Sequence, residues 1–305
     1  MEKRMLGRSG LAVTVLGYGA MELRHLSESE ANPLMNTVLD QGINYIDTSP
    51  DYGPSEAYIG KAIAHRRKEY YLASKCGCNI DEDGKGQAPA HVWSRAQLLK
   101  NIENSLRLLK TDHLDVWQLH GPAPEELPGG AQDEVIRTMQ ELKQQGKVRW
   151  IGMSYKNGGA SDPLYPDRYS PRYIRHYLDF EVFDVMQLVY GGMARRGEAG
   201  LALAASRGVG IVARGVVKKY YPDFAEQFEK AGLAELLAPG EDMNCFLLRF
   251  ALSQPGVSTM IIGTKNPAHL AENISSAEKG RLSTEVYRHA AARLGAAGFI
   301  ADAPQ

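Results

Sequence analysis

Short apolar runs rich in Val, Ile, Leu, Met and Tyr recur along the chain, each followed by a longer stretch with helical spacing. Eight such runs read as strands: residues 15–18, 43–47, 70–75, 115–120, 148–154, 184–189, 210–214 and 259–263. They are apolar almost throughout rather than alternating, which suits strands covered on both faces, as in a parallel sheet. Between them the spacing predicts helices over 29–41, 55–65, 95–110, 132–145, 171–178, 198–207, 242–252 and 267–274. Leu98, Leu99, Ile102, Leu106 and Leu109 form a stripe at three- and four-residue intervals. Gly42 stands where a helix-terminating glycine belongs, and Ser55-Glu56 is a capping-competent pair.

Eight strand-then-helix units with no break in composition predict one α/β domain over residues 1–305, a closed (β/α)8 TIM barrel. A doubly wound open sheet is the alternative. Apolar residues on either side of Gly7-Arg8-Ser9-Gly10 predict an N-terminal β-hairpin able to close the barrel bottom, and 283–294 an extra C-terminal helix. The longest intervals follow the third and seventh strands. Their extra length falls in loops 77–94 and 215–240, at the barrel face where substrate pockets are built.

Composition narrows the function classes. Hydrophobic residues make up 44% of the chain and charged residues 23%, enough for a sizeable core and against disorder. The 35 basic and 36 acidic residues nearly cancel, so no electrostatic footprint points to nucleic acid or an anionic membrane. The run His65-Arg66-Arg67-Lys68 reads as a solvated helix end. A polar N-terminus and the lack of a long apolar stretch predict a soluble, cytoplasmic protein. Cys76, Cys78 and Cys245 are too few for a disulfide framework. A metal at Cys76 and Cys78 would need more thiolates or imidazoles, and only His91 follows nearby in sequence; no metal is expected.

Asp47, Lys75 and His120 end the second, third and fourth strands, and Tyr52 follows Asp47 by five residues. Each alone has an ordinary structural reading as a turn residue, a snorkelling lysine, a core histidine or a loop aromatic. Together, on neighbouring strands at the functional end of a barrel, they form a proton-donating device. A tyrosine is a weak neutral acid, and a nearby lysine is expected to lower its pKa by ~1–3 units. Asp47 would hold Lys75 charged, and His120 would orient a carbonyl oxygen. The set supplies no electrons, so a hydride donor is implied.

At this point the chain resembles the aldo-keto reductases. The resemblance rests on Leu6-Gly7-Arg8-Ser9-Gly10-Leu11, Gly42-Ile43-Asn44-Tyr45-Ile46-Asp47-Thr48, Tyr52-Gly53, Ser55-Glu56 and Ala73-Ser74-Lys75. It continues through Asn104–Asp112 with Leu114-Asp115, Gln118-Leu119-His120, Gly146-Lys147-Val148-Arg149, Ile151-Gly152-Met153-Ser154, Ile262-Gly263-Thr264-Lys265 and Glu272-Asn273. It covers roughly residues 4 to 275 in order. It implies an NAD(P)H-dependent oxidoreductase that reduces aldehydes or ketones to alcohols, or the reverse. The catalytic tetrad would be Asp47, Tyr52, Lys75 and His120, with Tyr52 as general acid.

The resemblance also implies a cofactor site without a Gly-rich phosphate loop. Ser154 and Gln187 match residues that bind the nicotinamide carboxamide, although Tyr155 replaces an asparagine common after that serine. Arg214 stands where an aromatic residue often packs on the nicotinamide; it stacks there or reaches the pyrophosphate. Gly263, Thr264 and Lys265 lead into the last barrel helix, whose N-terminal amides favour phosphate. His269 takes the place of an arginine common in NADPH-preferring members, and Glu272 and Asn273 match positions near the adenine. NADPH is the expected cofactor, with NADH the alternative. Met21, Leu23, His91, Trp93, Tyr155 and the run Lys218-Lys219-Tyr220-Tyr221 are expected to line a pocket for a small carbonyl or alcohol substrate. A monomer or weak homo-oligomer is expected. From another class, a nucleotide-sensing partner subunit with the same barrel and little turnover is the competing reading.

Overall fold

A computed structural model describes residues 1–81, 86–127, 129–155, 173–217, 223–299 and 301. The chain opens with a hairpin, β1 (Lys3–Met5) and β2 (Ala12–Thr14), then β3 (Leu16–Gly19) and α1 (Glu28–Asp40). β4 (Tyr45–Asp47) precedes α2 (Ser55–Ile63). β5 (Tyr71–Cys76) leads into a second hairpin, β6 (Cys78–Ile80) and β7 (Gly86–His91), before α3 (Arg95–Leu109). Then come β8 (Leu114–Leu119), α4 (Gly129–Gln144), β9 (Val148–Ser154), α5 (Tyr173–Leu178), β10 (Val185–Val189) and α6 (Glu198–Ser206). β11 (Gly210–Arg214) is followed by α7 (Phe224–Lys230) and α8 (Met243–Ser253), and β12 (Val257–Ile262) by α9 (Pro267–Glu278). α10 (Thr284–Ala296) is the extra terminal helix. Strands β10, β11, β12, β3, β4, β5, β8 and β9 pair in that order and close a parallel barrel.

The eight barrel strands fall within two residues of the expected positions. Helix bounds differ more. α4 starts three residues before the predicted start, because Gly129 and Gly130 carry no apolar stripe to announce it. α9 runs to Glu278, and its last turn is made of small residues: Ser276 Oγ donates to the Glu272 carbonyl and Ala277 is buried. The predicted helix at 171–178 is seen from Tyr173; its first two residues, like the run 218–221, lie outside the described residues. The hairpin β6–β7 was not expected within loop 77–94. Among the described residues, no helix is long and apolar enough to cross a membrane.

Two local expectations are corrected. Ser55 and Glu56 do not cap α2: Ser55 Oγ donates to the Ala20 carbonyl, and Ser74 Oγ donates to Glu56 Oε1 at 2.6 Å, both inside the protein. The basic run after α2 is not simply solvated. Arg66 pairs with Asp40 and Glu69, while Arg67 reaches the buried Asp115 carboxylate at 2.6 Å.

The first hairpin plugs the barrel as expected. Leu6, Leu11 and Val13 pack against Tyr45, Ala73, Val116, Val185, Val212 and Ile261 in the interior. Each such apolar side chain contributes about 1.5–3 kcal/mol. Gly7 allows the approach: at φ +53°, a Cβ there would lie 2.2 Å from the Gly210 nitrogen.

Strand periodicity then places the site. Side chains two apart share a face, so the apolar layer Tyr45, Ala73, Val116, Val185 and Val212 is followed by Asp47, Lys75, Gln118, Gln187 and Arg214. Each of these five strands thus changes from apolar to polar in one step, at the end facing away from the plug. This is the layered filling of a TIM barrel, with a polar uppermost layer.

Candidate active site

Lys75 and Asp47 meet at the centre of that polar layer. Lys75 Nζ donates to Asp47 Oδ1 at 2.7 Å and to the Thr48 carbonyl at 2.7 Å. Both side chains are almost wholly buried. Asp47 Oδ2 accepts from Gln118 Nε2 at 2.9 Å and Gln187 Nε2 at 2.8 Å, and Gln187 Oε1 accepts from Ser154 Oγ at 2.9 Å. Asp47 is therefore an ionised acceptor surrounded by donors, as a buried charge requires. Burial disfavours the Lys75 ammonium, but Asp47 and Tyr52 outweigh it and hold its pKa well above the ordinary value.

Tyr52 leaves the loop after β4 and lays its ring over Lys75, with Nζ 4.7 Å from the ring centroid. The expected lowering of its pKa is not observed. Burial raises the phenol, Asp47 and Asp51 add to this, and Lys75 and Arg214 only partly oppose them. The reason is burial: the desolvation penalty on a phenolate exceeds the attraction of Lys75, part of which Asp47 offsets. Tyr52 is a firmly protonated donor.

His120 follows β8, its backbone N–H donating to the Cys76 carbonyl at 3.1 Å. Its ring meets that of Tyr52 edge-on at 6.2 Å between centroids. Nδ1 lies 3.2 Å from Cys78 Sγ, 3.4 Å from Ser49 Oγ and 3.5 Å from Asp51 Oδ2. Asp51 Oδ1 accepts from Ser49 Oγ at 2.5 Å. Burial raises the Asp51 carboxyl pKa, but His120, the Ser49 hydrogen bond and Lys75 bring it below the usual value.

A cavity of about 130 Å³ opens beside this cluster, lined by Asp47, Tyr52, Gln187, Arg214, Gly263, Met21, Gly19, Glu22, Gly215 and Ile261. The first six were singled out from the sequence. The last four were not, since two are glycines and Ile261 reads as core. Gln118 was also passed over, although its polar side chain at the inward period of β8, two residues after Val116, is a usable signal. Arg214 Nη2 donates to the Tyr155 carbonyl at 3.3 Å.

The remaining candidates fall in three places. Leu23 and Tyr155, expected to line a substrate pocket, are fully buried in the hydrophobic core; Tyr155 packs on Tyr177 at 5.4 Å. His91 and Trp93 lie on the hairpin side of His120. Their rings stack at 5.4 Å and 1°, and His91 meets His120 edge-on at 5.1 Å. Just after Gly263, which lines the cavity, Thr264 Oγ1 accepts from the Asn266 N–H at 3.0 Å, and Asn266 caps α9 ahead of Pro267. Lys265, His269 and Glu272 are exposed there, and Asn273 is half-buried.

Comparison with known proteins agrees with this geometry. A model of the aldo/keto reductase family matches residues 15–219. The oxidoreductase YqkF of Bacillus subtilis is 31% identical over 309 residues, spanning 93% of this chain and 94% of its own. L-galactose dehydrogenase of Arabidopsis thaliana is 26% identical, over 90% of this chain and 88% of its own. Among solved structures, the holo form of aldo-keto reductase AKR11C1 from Bacillus halodurans superposes with a TM-score of 0.81 at 29% identity, over 96% of both chains. The family match covers more than half of the sequence and includes the strands that carry Asp47, Lys75 and His120, so the chain belongs to the aldo/keto reductase family.

Proposed function

We propose that the protein is an NAD(P)H-dependent oxidoreductase that interconverts a small aldehyde or ketone and its alcohol, with Tyr52 as the general acid. The observation that carries this reading is the buried Lys75–Asp47 pair beneath Tyr52, at the wall of an open cleft. A charged pair costs several kcal/mol per ion to bury. Here it lies where a phenol can draw on it.

The residues around the cleft fit a reduced nicotinamide nucleotide. A Cβ at Gly263 would lie 2.6 Å from the Gly19 carbonyl, so glycine lets these two backbone segments approach closely at the wall of the cleft. Ser154 and Gln187 would hold the carboxamide, and Arg214 the nicotinamide ring or the pyrophosphate. Gly263, Thr264, Lys265 and His269 would take the 2′-phosphate end, with Glu272 and Asn273 beside the adenine. When bound, the nucleotide supplies a hydride to the carbonyl carbon.

The protein's own residues handle the proton. His120 Nδ1 is the nitrogen surrounded by Cys78, Ser49 and Asp51, so Nε2 is the one a carbonyl oxygen would meet. As the C=O bond becomes a C–O single bond, the Tyr52 O–H gives its proton to the oxygen. The Lys75 ammonium faces the resulting phenolate, which regains a proton from solvent. In the reverse direction Tyr52 accepts the alcohol proton.

Titration of the protein's tryptophan fluorescence with NADPH and with NADH tests the cofactor, and Tyr52→Phe tests the acid. Turnover should fall about 10²–10⁴-fold, as loss of a general acid does, while nucleotide affinity stays within about threefold. Near-wild-type turnover in Tyr52→Phe refutes the assignment. Failure of a folded sample to bind either nucleotide refutes the oxidoreductase reading.

A further inference from the structure

Four metal-ligating side chains that lie far apart in sequence converge behind the catalytic histidine. One donor atom from each of Asp51, Cys78, His91 and His120 lies within 4.8 Å of the other three. Asp51 comes from the loop after β4, Cys78 and His91 from the two strands of the second hairpin, and His120 from the end of β8. We propose that Asp51, Cys78, His91 and His120 form a binding site for one divalent cation of the zinc class, ligated through the carboxylate, Sγ, one His91 ring nitrogen and His120 Nδ1.

The donor chemistry selects the ion. One thiolate, two imidazoles and one carboxylate make a set that suits zinc and excludes hard cations such as magnesium or calcium. A tetrahedral zinc site places its donors about 3.3–3.6 Å apart, from bonds of about 2.0–2.3 Å. Two of the separations lie close to these values: 3.2 Å from His120 Nδ1 to Cys78 Sγ and 3.5 Å to Asp51 Oδ2. The thiolate and carboxylate balance the charge of a dication, so the occupied site is neutral. A hydrogen-bonded set of thiol, imidazole and carboxylate accounts for three of the donors. The fourth, His91, comes from the opposite hairpin strand and completes the tetrahedral number.

The backbone around these donors is held firmly. Gly77, at φ +86°, turns the chain from β5 into β6, so Cys76 and Cys78 do not share a strand face. Cys78 and His91 then pair directly across the hairpin, which sets their side chains on one face. The Cys78 carbonyl accepts from Gln97 Nε2 at 2.7 Å and Asn101 Nδ2 at 2.9 Å, and the Gly77 N–H donates to Asn101 Oδ1 at 2.9 Å. Trp93 stacks flat against the His91 ring, and Ser49 holds the other oxygen of Asp51. Such outer partners orient ligands in metal sites. An ion on Nδ1 leaves the hydrogen on Nε2, so the cation would sit behind the carbonyl-orienting donor without occupying the carbonyl's place.

The sequence alone set a metal aside because it offered only Cys76, Cys78 and His91 within a short span. His120 and Asp51 complete the set through the fold. The proposal stands apart from hydride transfer, and its test needs neither nucleotide nor carbonyl. The full chain, reduced and stripped with chelator, is titrated with Co²⁺ and then Zn²⁺. One equivalent of Co²⁺ should give tetrahedral visible bands and a near-ultraviolet thiolate-to-cobalt band, both displaced by Zn²⁺. Cys78→Ser should abolish the thiolate band, whereas Cys245→Ser should keep it. His91→Gln should weaken Zn²⁺ binding by at least about tenfold, as lost metal-site contacts do. An octahedral spectrum without the thiolate band, a band that survives Cys78→Ser, or no uptake by folded protein overturns the proposal.

Discussion

Replacing Asp47 by asparagine is the most direct test of the buried ion pair. The substitution keeps size and shape but removes the charge that neutralises Lys75, whose ammonium would retain the Thr48 carbonyl. It also misplaces a donor. Asp47 accepts on both oxygens, from Lys75 on one and from Gln118 and Gln187 on the other. An asparagine amide must turn its NH₂ toward one of these donor groups whichever way it is flipped. Breaking a buried pair costs about 3–5 kcal/mol, and the donor conflict places Asp47→Asn toward the upper end. An unfolding entropy of roughly 0.6 kcal/mol per kelvin for a chain of this length makes that a fall in Tm of about 5–8 °C. The Lys75 pKa is raised in the folded state, so the pair's contribution is complete below the ordinary lysine value of 10.5 and is lost only as pH rises through the higher folded value. The loss on substitution should therefore be the same at pH 6 and pH 8. Thermal scans at a fixed rate, with denaturant midpoints in parallel, measure it. In the double variant Asp47→Asn/Lys75→Met the costs should add to less than their sum. A Tm change below about 2 °C in the single variant would refute the claim that the pair is buried and charged.

Three further outcomes are expected. Burial raises the Glu56 carboxyl to about 7, with the hydrogen bond from Ser74 only partly opposing it. Its folded pKa exceeds the ordinary 4.5, so this group's contribution falls as pH rises between those values, by about 3 kcal/mol in all. Glu56→Gln should remove that loss, and equal gains in denaturant stability at pH 5 and pH 8.5 would disprove it. Lys265→Ala should weaken NADPH binding about tenfold or more, the value of a charged hydrogen bond, while leaving NADH nearly unchanged. Equal losses in fluorescence titrations would remove Lys265 from the 2′-phosphate. Gly7→Ala forces a Cβ against Gly210 in a left-handed backbone and should cost more than about 2 kcal/mol. A change under about 0.5 kcal/mol in denaturant midpoint would show that the hairpin does not plug the barrel.

Much of this site is readable along the chain because a barrel strand is periodic. Tyr45 before Asp47, Ala73 before Lys75 and Val185 before Gln187 are pairs on one strand face, the first member apolar and the second polar. Such pairs mark both where the strand ends and which way its last side chain points. Loop residues carry no such period. Met21 reaches the cavity and Leu23, two residues on, goes into the core. The short helical turn that contains both sends neighbouring side chains in different directions.

The eight strands, the closing hairpin and the gathering of Asp47, Tyr52, Lys75 and His120 at one end follow from residue order, since hydrophobic period and strand order fix the end at which a polar residue emerges. How those groups act on one another depends on the folded barrel. Tyr52 stays protonated because burial penalises a phenolate by more than Lys75, itself paired with Asp47, favours it. Asp51, Cys78, His91 and His120 meet because Gly77 reverses the chain and the hairpin register sets Cys78 across from His91. Distances between side chains on different strands and loops arise from closure of the barrel, and electrostatic coupling depends on those distances.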